Sequence, residues 1–379
     1  MKPELRYSVF LLLLSLFMIT GCANVHYEHG RTDLTGKQLV FGKITLVRDG
    51  EAGTISTFST PVTIGPLEST DEPLLITEPL DRDGRFYWLL KPGRQVLNIV
   101  LHEPSDDIVT LAFDVPDKPG AYYFGDLTLS GEKHFSALGA ANVRHVTTSI
   151  LDNFAAEETA LLARNPSLSG SDVSRLAVVD ISKNQARAAW FRAVLDAAPH
   201  CCNDMSAFHY APLVAGKTTA VEITRGQGTF AFPDGRSYFR AFELPRYSAP
   251  YAIELRSQVM PSGIPFHFRV FAPAALLLDR NFQVLDSFGP QGLRVSPARL
   301  LPPRAASLDE TLRITTRNAQ ARYLVLYTTD SLLSQSRLTS VPGVFLIPGG
   351  ALPSGMPQPA AMTPWPTGKV ELTVASGQQ

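Results

Sequence analysis

The adjacent cysteines Cys201 and Cys202 are the residues of this 379-residue chain with the most distinctive chemistry. Neighbouring Cα atoms lie about 3.8 Å apart across a trans peptide. The usual disulfide range is about 4.4–6.8 Å, so a Cys201–Cys202 bond closes a tight eight-membered ring that rigidifies a turn. Such a ring also offers a flat apolar contact to a sugar or an aromatic group. Two buried thiols, or a bridge to another chain, are the alternatives. Redox catalysis is not expected, because the C-x-x-C spacing is absent.

Other spacings touch on catalysis or ligand binding, and each lacks a part that its chemistry needs. Gly235-Arg236-Ser237 begins like a nucleophile elbow, but position 239 is Phe where Gly is required. Ser130-Gly131-Glu132-Lys133 has the S-x-x-K spacing, which pairs a serine with a lysine across one helical turn, yet it sits in a strand-and-turn context. Gly216-Lys217-Thr218 ends like a P-loop, with Ala at position 211 in place of the first glycine. Asp81-Arg82-Asp83-Gly84 is similar to a calcium loop. With Gly84 at loop position six, Leu90 falls at position twelve and the bidentate carboxylate is missing. Eight histidines occur, but none forms a metal-ligand pair with a carboxylate base at helical spacing, and His26 and His29 near Glu28 lie in a polar stretch. We therefore expect no catalytic residue, no metal and no cofactor.

Aromatic side chains are the remaining candidates for contact with a ligand, because sugar sites stack rings on pyranose faces. Tyr238, Tyr247, Tyr251 and Trp365 are the candidates. Trp365 stands out because it falls in a proline-rich stretch. The competing reading is that aromatic residues in strands fill cores, and Phe230, Phe232, Phe239 and Phe242 are assigned there.

The elements that must position these residues are mostly strands. Hydrophobic content of 45% with 29 prolines and 27 glycines marks a folded, turn-rich chain, and the length calls for two domains. Val40, Ile44 and Leu46 alternate with Lys43 and Thr45. Phe86, Trp88 and Leu90 share one face before the Lys91-Pro92-Gly93 turn. Returning strands follow at Val96–Leu101 and Tyr122–Leu129, predicting a small β-sandwich over 38–148. The Gly-x-Phe…Leu-Lys-Pro-Gly phrase of Gly84–Gly93 is similar to transthyretin-like sandwich domains of cell-envelope proteins. A helical connector is predicted over 149–200. One helix is capped by Asp152 and runs through Arg164, and a second runs from Asn184 to Ala197 and stops before Pro199. These helices join the two domains or pack on one edge. Strand signals then resume through Val374, predicting a larger sandwich over 201–379, with residues 348–368 as an ordered but irregular Pro/Gly loop.

The amino terminus gives an address. Lys2 and Arg6 precede an apolar run from Val9 to Ile19, which is too short to span a bilayer and has the layout of a signal peptide over 1–21. Ile19-Thr20-Gly21-Cys22 resembles the lipobox of bacterial lipoproteins. The resemblance implies cleavage between Gly21 and Cys22, palmitate-type acylation of Cys22, and a tether over 22–37. Ala23 resembles the outer-membrane-sorted type, so an anchored protein facing the periplasm is expected. In that oxidising compartment Cys201 and Cys202 are the remaining thiols. Loss of Lys2, Glu4 and Arg6 leaves 32 basic and 34 acidic side chains, a formal charge of −2. A near-neutral surface has no means of holding phosphate backbones, so nucleic acid is not an expected partner.

In the C-terminal half, Phe230–Pro245, Phe271–Arg280, Arg322–Asp330 and Gly368–Val374, in that order, look like the maltose-operon periplasmic protein (MalM-like) family over about residues 200–375. The resemblance implies an envelope accessory protein linked to carbohydrate uptake. It carries over no catalytic residues. The resulting expectation is a mainly β, non-catalytic outer-membrane lipoprotein, held to the membrane by its N-terminal lipid and binding a protein or glycan partner in the envelope. The alternatives are an envelope polysaccharide hydrolase and a structural subunit of an envelope assembly.

Overall fold

Period-two apolar patterns dominate the chain, and they produce strands. The computed structural model describes residues 27, 36–53, 55, 62–67, 74–76, 80–101, 108–135, 141–262, 267–299, 304–347 and 350–376, and these are mainly β. The expected signal segment, Gly21, Cys22, His26 and His29 lie outside the described residues. The chain divides into two units, Met1–Leu67 with Pro73–Asp180, and Glu68–Glu72 with Ile181–Gln379.

The first unit contains β1 (Gln38–Arg48), β2 (Glu51–Gly53), β3 (Val62–Pro66), β4 (Leu74–Ile76), β5 (Arg85–Leu90), β6 (Gly93–Val100), β7 (Ile108–Val115), β8 (Ala121–Phe135), β9 (Ala141–Leu151), α1 (Phe154–Arg164), β10 (Val173–Arg175) and β11 (Val178–Asp180). One sheet is centred on β1 and β8 and takes in β2, β5, β9 and β10, while the other runs β11-β7-β6-β3-β4. Val40 and Ile44 from β1, Phe86 and Trp88 from β5 and Phe124 from β8 meet Ile64, Leu97, Leu111 and Phe113 of the second sheet in one buried cluster.

The opposite face of β1, β5 and β8 is buried as well. Leu39, Phe41, Tyr87, Leu89 and Tyr123 pack with Leu161 of α1, Leu168 and Tyr27. This corrects the connector reading of 149–200. The apolar stripe of α1 covers a sheet face that is otherwise wet, β10 and β11 add to the two sheets of the first unit, and the second helix belongs to the other unit. Ionic contacts reinforce the helix. Arg85 grips the buried Glu157 of α1 through Nε at 2.6 Å and Nη2 at 2.9 Å. The tether reading also needs correction at Tyr27, which is 0% exposed and donates its backbone N–H to the Tyr87 carbonyl at 2.9 Å. A phenol ring buried this fully is worth several kcal/mol.

The second unit contains α2 (Asn184–Ala197), β12 (Tyr210–Pro212), β13 (Thr218–Ile223), β14 (Thr229–Phe232), β15 (Gly235–Tyr238), β16 (Arg240–Glu243), β17 (Tyr251–Pro261), β18 (His267–Phe271), β19 (Ala274–Leu278), β20 (Val284–Phe288), β21 (Arg294–Ser296), β22 (Ser307–Ile314), β23 (Tyr323–Tyr327), α3 (Asp330–Leu333), β24 (Arg337–Ile347), β25 (Gly350–Trp365) and β26 (Gly368–Ser376). A five-stranded sheet runs β12-β16-β23-β19-β20, and a larger sheet runs β13-β26-β17-β18-β25-β24 with β22 and β21 beside β17. Both sheets feed one core, which also takes the rings of Phe208, Phe230, Phe232 and Phe239.

The irregular loop expected over 348–368 is instead mostly strand. β25 pairs antiparallel with β24 from Gly350 to Met362 and parallel with β18 only at Ala361–Trp365. Pro353, Pro357 and Pro359 therefore sit where β25 has β24 as its one partner strand, and a missing N–H on that open edge breaks no ladder.

Candidate functional site

β19 and β23 are five-residue antiparallel neighbours, with Ala274 opposite Tyr327 and Leu278 opposite Tyr323. All of β19 is buried, so neither strand offers an open face over its length. Chemistry is left to the connections at the two strand ends, roughly 14 Å apart at the usual rise per residue. Each end carries a cleft.

At the Tyr327 end, the β14–β15 hairpin pairs Phe232 with Gly235 and presents Asp234 at its tip. Asp330 opens α3, whose first turn is capped by Thr329, with the Leu332 N–H donating to Thr329 Oγ1 at 3.1 Å. Ser287, Phe288, Pro290 and Ser331 complete the walls. The Tyr327 hydroxyl donates to Asp234 Oδ2 at 3.3 Å, while its ring stacks on Phe232 with centroids 4.2 Å apart. Burial first, and the neighbouring Asp234 carboxylate second, push this phenol up to about 12, so it remains a donor at neutral pH. Arg192 of α2 donates from Nε to Asp330 Oδ2 at 2.6 Å. The wall over 290–293 is tied down by Arg337, which donates to the carbonyls of Leu293 at 3.1 Å and Pro290 at 3.2 Å. Gly235 is required here. Its φ is +124°, and a Cβ would lie 3.0 Å from Asp330 Oδ1.

At the Tyr323 end, the cleft is lined by Arg246, Tyr247, Asp279, Arg280 and Arg322 with Ala319, Gln320 and Ala321. Backbone hydrogen bonds stitch its walls together. Leu244 N–H donates to the Arg322 carbonyl at 2.8 Å, and Arg322 N–H donates to the Leu278 carbonyl at 2.7 Å. Arg322 Nη2 donates to Glu243 Oε1 at 2.6 Å.

The predicted site residues divide between these clefts and the core. Tyr247 lines the arginine cleft. Tyr251 lies beside it, half-buried, with its hydroxyl donating to the Pro245 carbonyl at 3.3 Å and pushed up to about 12 by burial. Tyr238 and Trp365 are corrections to the ligand-contact reading, at 0% and 3% exposed. The Trp365 ring meets Phe191 of α2 edge-on at 4.9 Å, so core packing claims it. Cys201 and Cys202 have their sulfurs at bonding distance and Cα atoms 3.8 Å apart, and they line neither cleft.

The motifs that lacked a part also lack the geometry. Ser237 Oγ is buried and donates to the Tyr238 carbonyl at 2.6 Å. Ser130 and Lys133 are three apart on β8, which places them on opposite faces. Lys217 closes a turn onto the Val214 carbonyl. Asp81 and Asp83 form ion pairs with Arg164 and Arg85. Among the described residues no group of three His, Cys, Asp or Glu side chains is placed to hold a metal, and no helix is long and apolar enough to cross a membrane.

The sequence offers no local signal for Asp330, Tyr327 or the three arginines as a site, because each cleft is assembled from segments up to about a hundred residues apart. The only trace is that the phrases ending at Arg280 and Asp330, and the Asp234-Gly235 turn, all contribute lining residues.

Residues 234–374 match the family model described as maltose operon periplasmic protein precursor (MalM). The lining residues of both clefts fall within that stretch, and the first unit lies outside it. No curated protein matches the chain.

Proposed function

We propose that this is a non-catalytic, periplasm-facing lipoprotein of the outer membrane. Its C-terminal unit binds a neutral saccharide at the Tyr327 end of the five-stranded sheet, in the service of maltodextrin uptake. The family match supports a periplasmic protein of a maltose operon. The observation that carries the saccharide reading is the set of groups at that end. Two carboxylates can accept from vicinal hydroxyls, and the Tyr327 oxygen can accept one more hydrogen bond while its proton holds Asp234. Serine hydroxyls can do both, and Phe288 adds an aromatic ring to the lining. The Cys22 lipid supplies the anchor, and two or more acyl chains hold firmly. Tyr27 docks only five positions after Cys22, a reach of at most about 18 Å, so the first unit stays close to the bilayer.

Binding fits this end better than hydrolysis. A glycosidase needs two available carboxyl groups, one to deliver a proton and one to act as base or nucleophile, whereas Asp330 is held by Arg192 and Asp234 by the Tyr327 hydroxyl. Calorimetric titration of the mature chain with maltoheptaose tests the reading. Heat is expected from the unaltered protein and not from D234A, and no new reducing ends form on long incubation. A flat titration of the unaltered protein refutes the saccharide reading. Metabolic labelling with a palmitate analogue, lost in Cys22→Ser, tests the anchor.

A further inference from the structure

We propose that the opposite end of the same sheet, at Arg246, Arg280 and Arg322, is a site for a phosphate monoester, of the kind carried by a sugar phosphate or a lipid headgroup. This inference is independent of the saccharide reading. The three guanidiniums come from three different wall segments whose backbones are hydrogen-bonded to one another, so their stems start from fixed points. Arg322 is committed to Glu243 at 2.6 Å. Arg246 and Arg280 are exposed and make no ion pair among the described residues.

The one carboxylate in the lining, Asp279, is engaged by its own turn. Its Oδ1 accepts from the backbone N–H of Asn281 at 2.7 Å and of Gln283 at 2.9 Å. Two unpaired guanidiniums match the charge of about −1.5 to −2 on a phosphate monoester at neutral pH, and their fork geometry suits its oxygens. A carboxylate neutralises only one of them, and a neutral sugar neither. Tyr247, half-buried in the same lining, offers a ring face to whatever carries the phosphate.

Glucose 6-phosphate is the first probe, titrated into the mature chain. Vesicles of phosphatidylcholine with phosphatidic acid, co-sedimented with the Cys22→Ser chain, are the second. Binding is expected for at least one probe and weakens as salt rises. It falls about tenfold or more for each guanidinium removed in R246A/R280A. Lys217→Ala, which removes a charge from an exposed turn outside the cleft, leaves binding unchanged. Both arginines are exposed, so the double variant keeps its melting temperature. Sugar phosphate without vesicles assigns a free ester, and vesicles without sugar phosphate assign a headgroup. Binding of neither probe, or equal binding by the double variant, overturns the proposal.

Discussion

The two ends of the five-stranded sheet share β19 and β23 and differ in everything attached to them. One end gathers Asp234 and Asp330 around a buried phenol, and the other gathers three arginines around an accessible one. The strands between are apolar and buried, so they set distance and direction while the turns set charge. A sheet that spends its side chains on the core can therefore carry two unlike sites without either constraining the other. The ends also differ in their response to pH. Guanidinium groups keep their charge throughout the physiological range, whereas the Asp234 end has a titrating group behind its wall. Glu310 of β22 is 8% exposed, and its Oε2 has no hydrogen-bond partner among the described residues. It packs so closely under Gly292 that an added Cβ there would fall on the carboxyl. Burial raises Glu310 from 4.5 to about 7.

That buried carboxyl makes the stability of the fold depend strongly on pH. A carboxyl raised in the folded chain holds its proton more tightly there than in the unfolded chain. Its contribution to stability is complete below about 4.5 and is lost as pH climbs through about 7, a swing of about 3 kcal/mol. Chemical denaturation at pH 4.5 and pH 8 should show this loss in the unaltered protein and a much flatter response in Glu310→Gln. Equal pH dependence in the two would remove Glu310 from the account. Phosphate binding at the arginine end should rise with pH through the monoester's own second ionisation at about 6, with the same profile in Glu310→Gln as in the unaltered protein, which separates the two ends directly.

Gly235→Ala comes next. A residue with φ of +124° and a Cβ against the Asp330 carboxylate should cost about 1–3 kcal/mol. It should abolish maltoheptaose binding while sparing glucose 6-phosphate. Loss of both ligands together would mean that the ends are coupled and the comparison fails. Tyr327→Phe is gentler. It keeps the Phe232 stack and removes one donor, so stability should fall by about 1 kcal/mol and maltoheptaose affinity by about fivefold, read by calorimetry.

Much of this scaffold was legible in the sequence, and much of the site was not. The helix Asn184–Ala197 and the strands around Val40, Phe86, Tyr251 and Tyr323 follow from apolar period and from Pro199 as a stop, because burial of one stripe or face is a local property. The 348–368 stretch reads as a loop because its prolines signal turns, whereas the open edge of β25 tolerates them. The 149–200 segment reads as a connector because sequence does not say that the outer face of β1, β5 and β8 needs a cover, which α1 supplies. Aromatic residues were sensible ligand candidates by type, yet Tyr238 and Trp365 went to the core. Arg246, Arg280 and Arg322 became neighbours only through the pairing of β16, β23 and β19, a relation that no spacing records.

Removing Glu243 alters charge at one end of the sheet and little else. Glu243 holds Arg322 at 2.6 Å, with the two side chains 42% and 28% exposed. A pair this wet contributes about 0.5 kcal/mol to stability, so Glu243→Ala should hardly move the melting temperature. It releases a third guanidinium into the Arg246–Arg280 cleft and removes a carboxylate from its border. Glucose 6-phosphate should then bind about threefold to tenfold more tightly at low salt, with the gain shrinking as salt screens it. Maltoheptaose affinity at the far end of the sheet should stay where it was. A gain at both ends would point to a general charge effect, and no gain at either would show that Arg322 takes no part in holding the anion.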